Sequence, residues 1–210
     1  MKKADLKDIS TIVSDELTSK SIDLSVEYSE IALDEFLKEG LLKEIPIVKS
    51  VVTFYNIGNS VLARYNTKKI RTFFKEFHGS DINSESLLKF KSKFNSDSKY
   101  RTQVVETIIL FNERFNQIEK SKILAKLILS HIEGHISWEE LIALAIVLEN
   151  IHPNGIIFLK SKMTYQGVPK HDHEGEPLMI ACGIGYSGVG MQSPFKINKL
   201  GLLFYEFGVK

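Results

Sequence analysis

Four consecutive side chains in the last quarter of the chain could hold a metal ion: His171, Asp172, His173 and Glu174. Imidazole and carboxylate groups ligate zinc and nickel, and a His-x-His pair can bind either ion adventitiously. A catalytic site also needs a third ligand from a distant part of the chain and an open coordination position. We therefore interpret the segment VPKHDHEGEP as a solvated polar loop and predict no functional metal in it.

Two further histidines, His131 and His135, stand four residues apart, a spacing at which two imidazoles on a helix could share a metal. The zinc-protease pattern requires a glutamate directly after the first histidine, and Ile132 occupies that place. Gly134 is expected to end the helix before the second histidine. The pair therefore predicts a structural or solvent-facing role.

The run from Gly183 to Gly188, GIGYSG, matches the pattern G-x-G-x-x-G. A dinucleotide-binding loop of this kind follows a strand and opens a helix, whose N-terminus receives the pyrophosphate. Only 22 residues follow Gly188, and their pattern indicates loop, strand and a terminal helix. We interpret the run as the turn of a β-hairpin and expect no cofactor. With no convergent catalytic set elsewhere, the sequence predicts a protein that is not an enzyme.

The amino-acid composition and net charge limit the classes of protein to which the chain could belong. The chain has 210 residues, of which 43% are hydrophobic and 25% charged, as in ordinary globular proteins. The net charge of +1 gives no global electrostatic argument for nucleic acid or anionic lipid. A single cysteine, Cys182, cannot form an internal disulfide, and the amino-terminal MKKADLKDISTIVSDEL lacks the apolar core of a signal peptide. We therefore expect a cytoplasmic protein.

Charge is unevenly distributed along the chain. Residues 1–40 contain 5 basic and 10 acidic residues, whereas residues 41–110 contain 12 basic and 6 acidic residues. An acidic segment followed by a basic one indicates that the two pack on each other or face different partners.

Helical periodicity dominates the first 150 residues. The clearest case places Ile70, Phe73, Phe74 and Phe77 on one face of a helix that Asn66 or Thr67 would cap and Gly79 would end. The opposite face of that helix is predicted to carry its basic residues, Lys68, Lys69, Arg71 and Lys75. Further helices are predicted over 26–39, after Ser84, from Asp97 and over 119–132.

The most apolar stretch of the chain runs from Pro46 to Arg64 and carries one charge, Lys49, between its ends. As a helix, residues 47–64 would be about 27 Å long, against about 30 Å for the hydrocarbon core of a bilayer. It is either the central helix of a bundle or a surface that meets a membrane or a partner. The contact would then be made by apolar residues of the stretch and by basic residues after it, at the headgroups: Val48, Val51, Val52, Phe54, Tyr55, Lys68, Lys69 and Arg71.

The pattern changes after His135. Ser137 and Glu140 form a capping box before the apolar run 141–148, and the residues from His152 to Gly155 stop that helix. Beyond it we predict strands over 178–182 and 195–197, a glycine-rich turn over 183–190 and a short terminal helix. The predicted fold is mainly α, with a helical bundle over 1–117 and a module with a small β-hairpin over 118–210.

This order of elements resembles a winged helix, and the phrase FKINKLGLLFYEFG is similar to the closing strand and final helix of many winged-helix domains. In DNA-binding members a recognition helix follows the capped helix and enters the major groove. Here that position holds NGIIFLKSKMTYQG, whose Asn-Gly favours a turn and in which only Lys160 and Lys162 could reach phosphate. The resemblance implies a module for protein contact, with nucleic-acid binding as the alternative.

A second resemblance covers EGLLKEIPIVKSVVTFYNIGNSVLARYNTKKIRTFFKEF. It is similar to a pattern in small uncharacterised bacterial proteins that often accompany mobile elements and phage-defence genes. The resemblance implies a bacterial origin and a conflict setting. The uncharged stretch beside a basic helix, with no convergent catalytic set, predicts a non-enzymatic interaction or effector protein with a protein partner. It leaves open a peripheral position at the inner membrane, and the oligomeric state is not predicted.

Overall fold

The structure is a computed structural model, and it describes residues 11, 13–18, 61–165, 172–188 and 194–210. The chain divides into two compact units, Met1–Ala125 and Lys126–Lys210. The predicted helix over 26–39 lies outside the described residues, and so do residues 46–60 of the predicted apolar helix. The domain boundary at 117/118 stays a prediction.

The described part of the first unit is helical. Residues 13–18 form a short helical segment, and four longer helices follow. Helix α1 spans Val61–Gly79, α2 spans Ser84–Ser96, α3 spans Ser98–Arg114 and α4 spans Glu119–Ile132. The division between the two units falls inside α4.

Local capping explains where α2 and α3 begin. The side chain of Asn83 accepts hydrogen bonds from the backbone N–H groups of Glu85 and Ser86, and Asp97 accepts one from Tyr100. These bonds satisfy donors that the first turn of a helix leaves without an intrahelical partner. The start of α1 was predicted wrongly, since Asn66 lies inside the helix and is buried rather than capping it.

Aromatic side chains build much of the core of the first unit. Helix α1 packs against α3, and α2 packs against α3 as well. The predicted apolar face of α1 is confirmed, because Ile70, Phe73, Phe74 and Phe77 are all buried. Phe73 and Phe74 meet edge to face with their ring centroids 5.1 Å apart. Burial of each such side chain stabilises the unit by about 1.5–3 kcal/mol.

The second unit continues from the end of α4. Helix α5 spans Trp138–Asn150, α6 spans Pro153–Thr164 and α7 spans Gly175–Ala181. Strands β1, Gly185–Ser187, and β2, Phe195–Ile197, pair antiparallel with Tyr186 opposite Lys196. Helix α8, Lys199–Phe204, runs into a π-helical turn over Tyr205–Val209. The capping box of Ser137 and Glu140 is present as predicted.

Three glycines of the second unit allow its elements to approach closely. A Cβ atom at Gly201 of α8 would lie 2.5 Å from the Ile184 carbonyl oxygen. A Cβ at Gly175 would overlap the ring of Phe158, and one at Gly185 would overlap the ring of Phe195. Contacts between α6 and α7, within the hairpin and between α8 and the hairpin therefore depend on the missing side chains.

The mainly helical fold with a small carboxy-terminal hairpin is confirmed. The first strand was nevertheless placed wrongly. Residues 178–181 of the predicted strand belong to α7, and the strand lies at Gly185–Ser187. A short apolar run such as LMIAC fits a buried helix as well as a strand, and periodicity alone cannot separate the two.

Candidate interaction surface

Helix α6 follows the capped helix α5, where the winged-helix resemblance predicts a recognition helix. Its first turn is fixed locally, because Pro153 stands at the start and His152 Nδ1 accepts a hydrogen bond from the Asn154 backbone N–H at 3.2 Å. Proline suits this position, since its missing N–H would have no intrahelical partner there. The expected Asn-Gly turn is therefore wrong, and Asn154 and Gly155 belong to the first turn of α6.

One face of α6 packs inside the second unit. Gly155 and Leu159 are buried, and Phe158 covers Gly175 at the start of α7. Phe158 also meets the ring of Phe195 in β2, with centroids 5.9 Å apart. These contacts fix which face of α6 points outward.

The outward face of α6 has an apolar stripe between polar side chains. Ile157 is 65% exposed, and Tyr165, directly after the helix, is 59% exposed. A spacing of eight residues puts both on one side of a helix. The exposed polar residues on and around this stripe are Asn154, Lys160, Ser161 and Thr164. Ser161 lies one turn from each of the two apolar side chains, so this face mixes exposed apolar and polar groups, as protein–protein contact surfaces do.

The two lysines predicted to contact nucleic acid lie in different surroundings. Lys160 is exposed on the outward face, whereas Lys162 is half-buried with its Nζ 5.7 Å from the centroid of the Phe195 ring. A lysine in this position packs its stem and its charge against an aromatic face. Only Lys160 extends from the outward stripe.

In the candidate metal loop, Asp172 stabilises the backbone turn that leads into α7. The Asp172 carboxylate accepts hydrogen bonds from the backbone N–H groups of Gly175 at 2.7 Å and Glu174 at 3.0 Å. These two bonds hold the pKa of Asp172 below its usual value. His173 is exposed, and His171 lies outside the described residues. The residues that the structure describes contain no group of three or more His, Cys, Asp or Glu side chains that could hold a metal ion.

The pair His131 and His135 serves packing, in line with the expected structural role. His131 Nδ1 donates a hydrogen bond to the Ile136 carbonyl at 3.0 Å, and its ring meets Trp138 edge to face. His135 stacks on Phe207 with ring centroids 5.5 Å apart. Gly134, with φ of 81°, ends the helix between them, as predicted.

The glycine pattern that starts at Gly183 follows a helix, α7, and not a strand. Gly183 has φ of 79° and ends α7, and Gly185 opens strand β1. A pyrophosphate-binding loop needs the reverse order, strand then glycines then helix. The segment contributes to a β-hairpin, but the predicted turn over 183–190 is wrong in part, because Gly185–Ser187 form strand β1.

Lys69 is the predicted surface residue that the structure contradicts most clearly. It is 1% exposed, and its ammonium donates hydrogen bonds to the Phe115 carbonyl at 2.7 Å and the Glu113 carbonyl at 3.0 Å. The prediction that it lies on an exposed basic face is therefore wrong. Tyr65 supports the same end of α3, since its hydroxyl donates to the Asn116 carbonyl at 2.8 Å. Nothing in the periodicity signals this role, because a lysine at this position reads as solvated.

The remaining predicted contact residues divide into two groups. Lys68 and Arg71 are half-buried on α1. Residues Val48, Val51, Val52, Phe54 and Tyr55 lie outside the described residues, so their contact with a membrane or a partner stays a prediction.

The length and hydropathy of the described helices bear on whether any of them could span a membrane. None of them alone combines the length and the apolar character that a membrane span requires. Helices α5 and α6 reach that level only when they are taken together, and a bend of 118° separates them.

Comparison with known proteins found no match to a family profile, to a curated protein or to a solved structure.

Proposed function

We propose that this chain is a non-enzymatic bacterial interaction or effector protein whose carboxy-terminal unit binds a protein partner through the outward face of α6. The observation that carries the proposal is the stripe of Ile157 and Tyr165 on that face, with 65% and 59% of these side chains exposed. Tyrosine is enriched at protein interfaces, because its ring is largely apolar and its hydroxyl still forms hydrogen bonds.

The polar residues around this stripe favour a protein partner over a membrane. Ser161, Thr164 and Asn154 can form hydrogen bonds at the rim of an interface, and Lys160 adds one positive charge. An interfacial membrane helix would instead carry a broad apolar face with several basic residues beside it. The resemblance to proteins near phage-defence genes supports a role in bacterial conflict.

The apolar segment 46–64 forms the second part of the proposal. Its low charge and its length support a helix that packs in the bundle or engages a membrane or partner. This part of the proposal rests on the sequence alone.

Photo-crosslinking in living bacterial cells tests the α6 face. A photoreactive amino acid at position 157 or 161 should give one discrete adduct with a protein, because both positions lie on the proposed contact face. The matched control is position 139, an exposed residue of α5. The variant Tyr165→Ala should weaken the adduct from position 161. Equal adducts from all three positions, or none from any, would contradict the proposed face.

Nucleic-acid binding through α6 is the second candidate, and the exposed position of Lys160 favours it. It predicts salt-dependent binding of duplex DNA that weakens when Lys160 and Lys162 are both replaced by alanine. Duplex binding that both replacements leave unchanged would remove this candidate.

Flotation with liposomes tests the membrane form of the proposal. The intact protein should float with vesicles that contain anionic lipid if residues 46–64 and the basic residues after them contact the bilayer. Absence of binding with and without anionic lipid would remove membrane engagement and leave the protein-contact proposal standing.

A further inference from the structure

Basic residues are concentrated where α2 meets α3. Residues 84–101 contain five basic and two acidic residues, although the whole chain has a net charge of only +1. The basic residues are Lys89, Lys91, Lys93, Lys99 and Arg101. Three of them, Lys93, Lys99 and Arg101, carry the inference, and we refer to these three as the basic turn.

Contacts on both helices bring these cations to the same turn. Lys93 of α2 places its Nζ 4.1 Å from the ring centroid of Tyr100 in α3. Arg101 of α3 donates from Nη1 to the carbonyl of Asn95, near the end of α2, at 3.4 Å. Lys99 is exposed in the first turn of α3, between these two contacts in sequence. Like charges held side by side repel, so an anion bound there would be stabilised.

The two acidic residues do not cancel this charge. The Asp97 carboxylate accepts a hydrogen bond from the Tyr100 backbone N–H at 3.0 Å and so caps α3. Glu85 pairs with Lys89 at 2.6 Å, one turn further from the α2–α3 junction, and both side chains are largely exposed. Lys93, Lys99 and Arg101 therefore face a single carboxylate, which is directed at the helix end.

The side chains around the basic turn are of the kinds that contact phosphate. Asn95, Ser96, Ser98, Thr102 and Gln103 are all exposed. Hydroxyl and amide groups, with lysine and arginine, make most protein contacts to the phosphates and sugars of nucleic acid.

We propose that the basic turn binds the phosphate backbone of double-stranded nucleic acid without reading the bases. A single strand would need exposed aromatic rings for stacking, and Phe90, Phe94 and Tyr100 are all buried. A helix that lies in a membrane surface inserts exposed apolar side chains, whereas every exposed residue over 95–103 is polar or charged, and the exposed Leu88 of α2 lies five residues before Lys93. This surface belongs to the first unit, so the inference does not depend on the α6 face.

Fluorescence anisotropy with the full chain and a labelled duplex DNA of about two helical turns tests the proposal. We expect weak binding, with Kd of about 1–100 μM near physiological salt and a slope of log affinity against log salt of about −3. Lys99→Ala should weaken binding several-fold, lower the slope by about 1 and act equally on two duplexes of unrelated sequence. The matched control is Lys122→Ala, which removes the same charge from an exposed position on α4 and should leave affinity within about twofold.

Three results would overturn the proposal. One is no duplex binding at about 50 mM salt. Another is an equal loss of affinity in Lys99→Ala and Lys122→Ala, which would show an effect of net charge alone. The third is binding to vesicles with anionic lipid, weakened by Lys99→Ala, without binding to the duplex. Circular dichroism checks that the folds of both variants are unchanged, and Lys160→Ala separates the basic turn from the α6 candidate.

Discussion

At the scale of single residues, Lys69 shows how a charged side chain can support a helix from inside the core. The last carbonyl groups of a helix have no intrahelical donor, and the C-terminus carries a partial negative charge. Lys69 of α1 donates to two carbonyls at the end of α3, those of Glu113 and Phe115. Burial lowers the pKa of Lys69, and the Glu113 carboxylate partly opposes that change. A residue predicted to meet a partner therefore holds two helices together.

Replacing Lys69 with methionine should destabilise the protein. The side-chain volume is similar, but two carbonyls that now accept bonds from an ammonium would lose their donor. We expect the free energy of unfolding to fall by about 1.5–3 kcal/mol, measured by urea denaturation. Lys75→Met, at an exposed position of the same helix, is the control and should change it by less than about 0.5 kcal/mol. Equal effects of the two changes would contradict the capping role.

Tyr100 gives a pH dependence with a defined sign. Burial raises the pKa of its phenol to about 12, above the ordinary value of about 10. Between pH 10 and 12 the unfolded chain loses this proton while the folded chain keeps it. The stabilising contribution is therefore complete below about pH 10 and is lost as the pH rises toward 12.

The variant Tyr100→Phe isolates this effect. The difference in unfolding free energy between the original chain and the variant should be constant below about pH 10 and fall by up to about 2–3 kcal/mol toward pH 12. Urea denaturation at a series of pH values measures it, and the comparison cancels contributions from Lys69 and other groups. A difference that stays flat across this range would contradict the raised pKa.

At the scale of elements, prediction succeeded where the signal is local. The capping box of Ser137 and Glu140 involves one turn of chain, and so does the stop at Gly134. The predicted position of strand β1 was wrong. Residues 178–181 belong to α7, which packs on α6 and β1, and this packing favours the helix. The prediction that Lys69 is exposed was wrong for a related reason, since its two acceptors lie more than forty residues away along the chain. Long-range partners leave no periodic signal in the sequence.

The junction of α8 with the hairpin depends on Gly201. Asn198 caps α8 by accepting from the Gly201 backbone N–H at 2.9 Å, and it donates from Nδ2 to the Gly183 carbonyl at 2.8 Å. Its own N–H donates to the Ile184 carbonyl at 3.1 Å. One residue thereby connects α8 to the turn that precedes β1, and Gly201 lies directly against that turn.

Replacing Gly201 with alanine should destabilise the protein, although alanine is the better helix former. The new Cβ would lie 2.5 Å from the Ile184 carbonyl oxygen and 2.5 Å from Ile197 Cγ2, so backbone must move. We expect a loss of about 1–3 kcal/mol in unfolding free energy, measured by denaturant titration. The control Gly79→Ala meets no atom within 4 Å and should be neutral or stabilising by up to about 1 kcal/mol. The same sign for both changes would contradict the contact.

At the scale of the whole molecule, basic and acidic residues are nearly equal in number but unevenly distributed along the chain. The net charge is +1 and the isoelectric point is about 7.8, yet the basic turn is strongly positive and residues 1–40 are acidic. Whole-chain charge therefore excludes a large uniform field but not a local anion-binding surface. The sequence shows that basic residues are clustered over 84–101. It does not show that Lys93, Lys99 and Arg101 meet at one turn.

Solubility at low salt should follow the net charge. We expect a minimum near pH 7.8, because a chain close to zero charge self-associates most readily. Light scattering across a pH series measures this. Lys75→Glu changes an exposed residue and lowers the net charge by two, so it should move the minimum to lower pH. A minimum that does not move would show that a particular surface, and not the overall charge, controls association.

The close contacts at Gly175, Gly185 and Gly201 have an evolutionary consequence. At each position a neighbouring ring or carbonyl occupies the space of a Cβ, so natural selection should discard almost every amino-acid substitution there while surface positions drift. Gly79 borders no neighbouring atom and should diverge freely. Among homologues, these three glycines should therefore be a more durable signature of common ancestry than the apolar residues around them, which can exchange for one another.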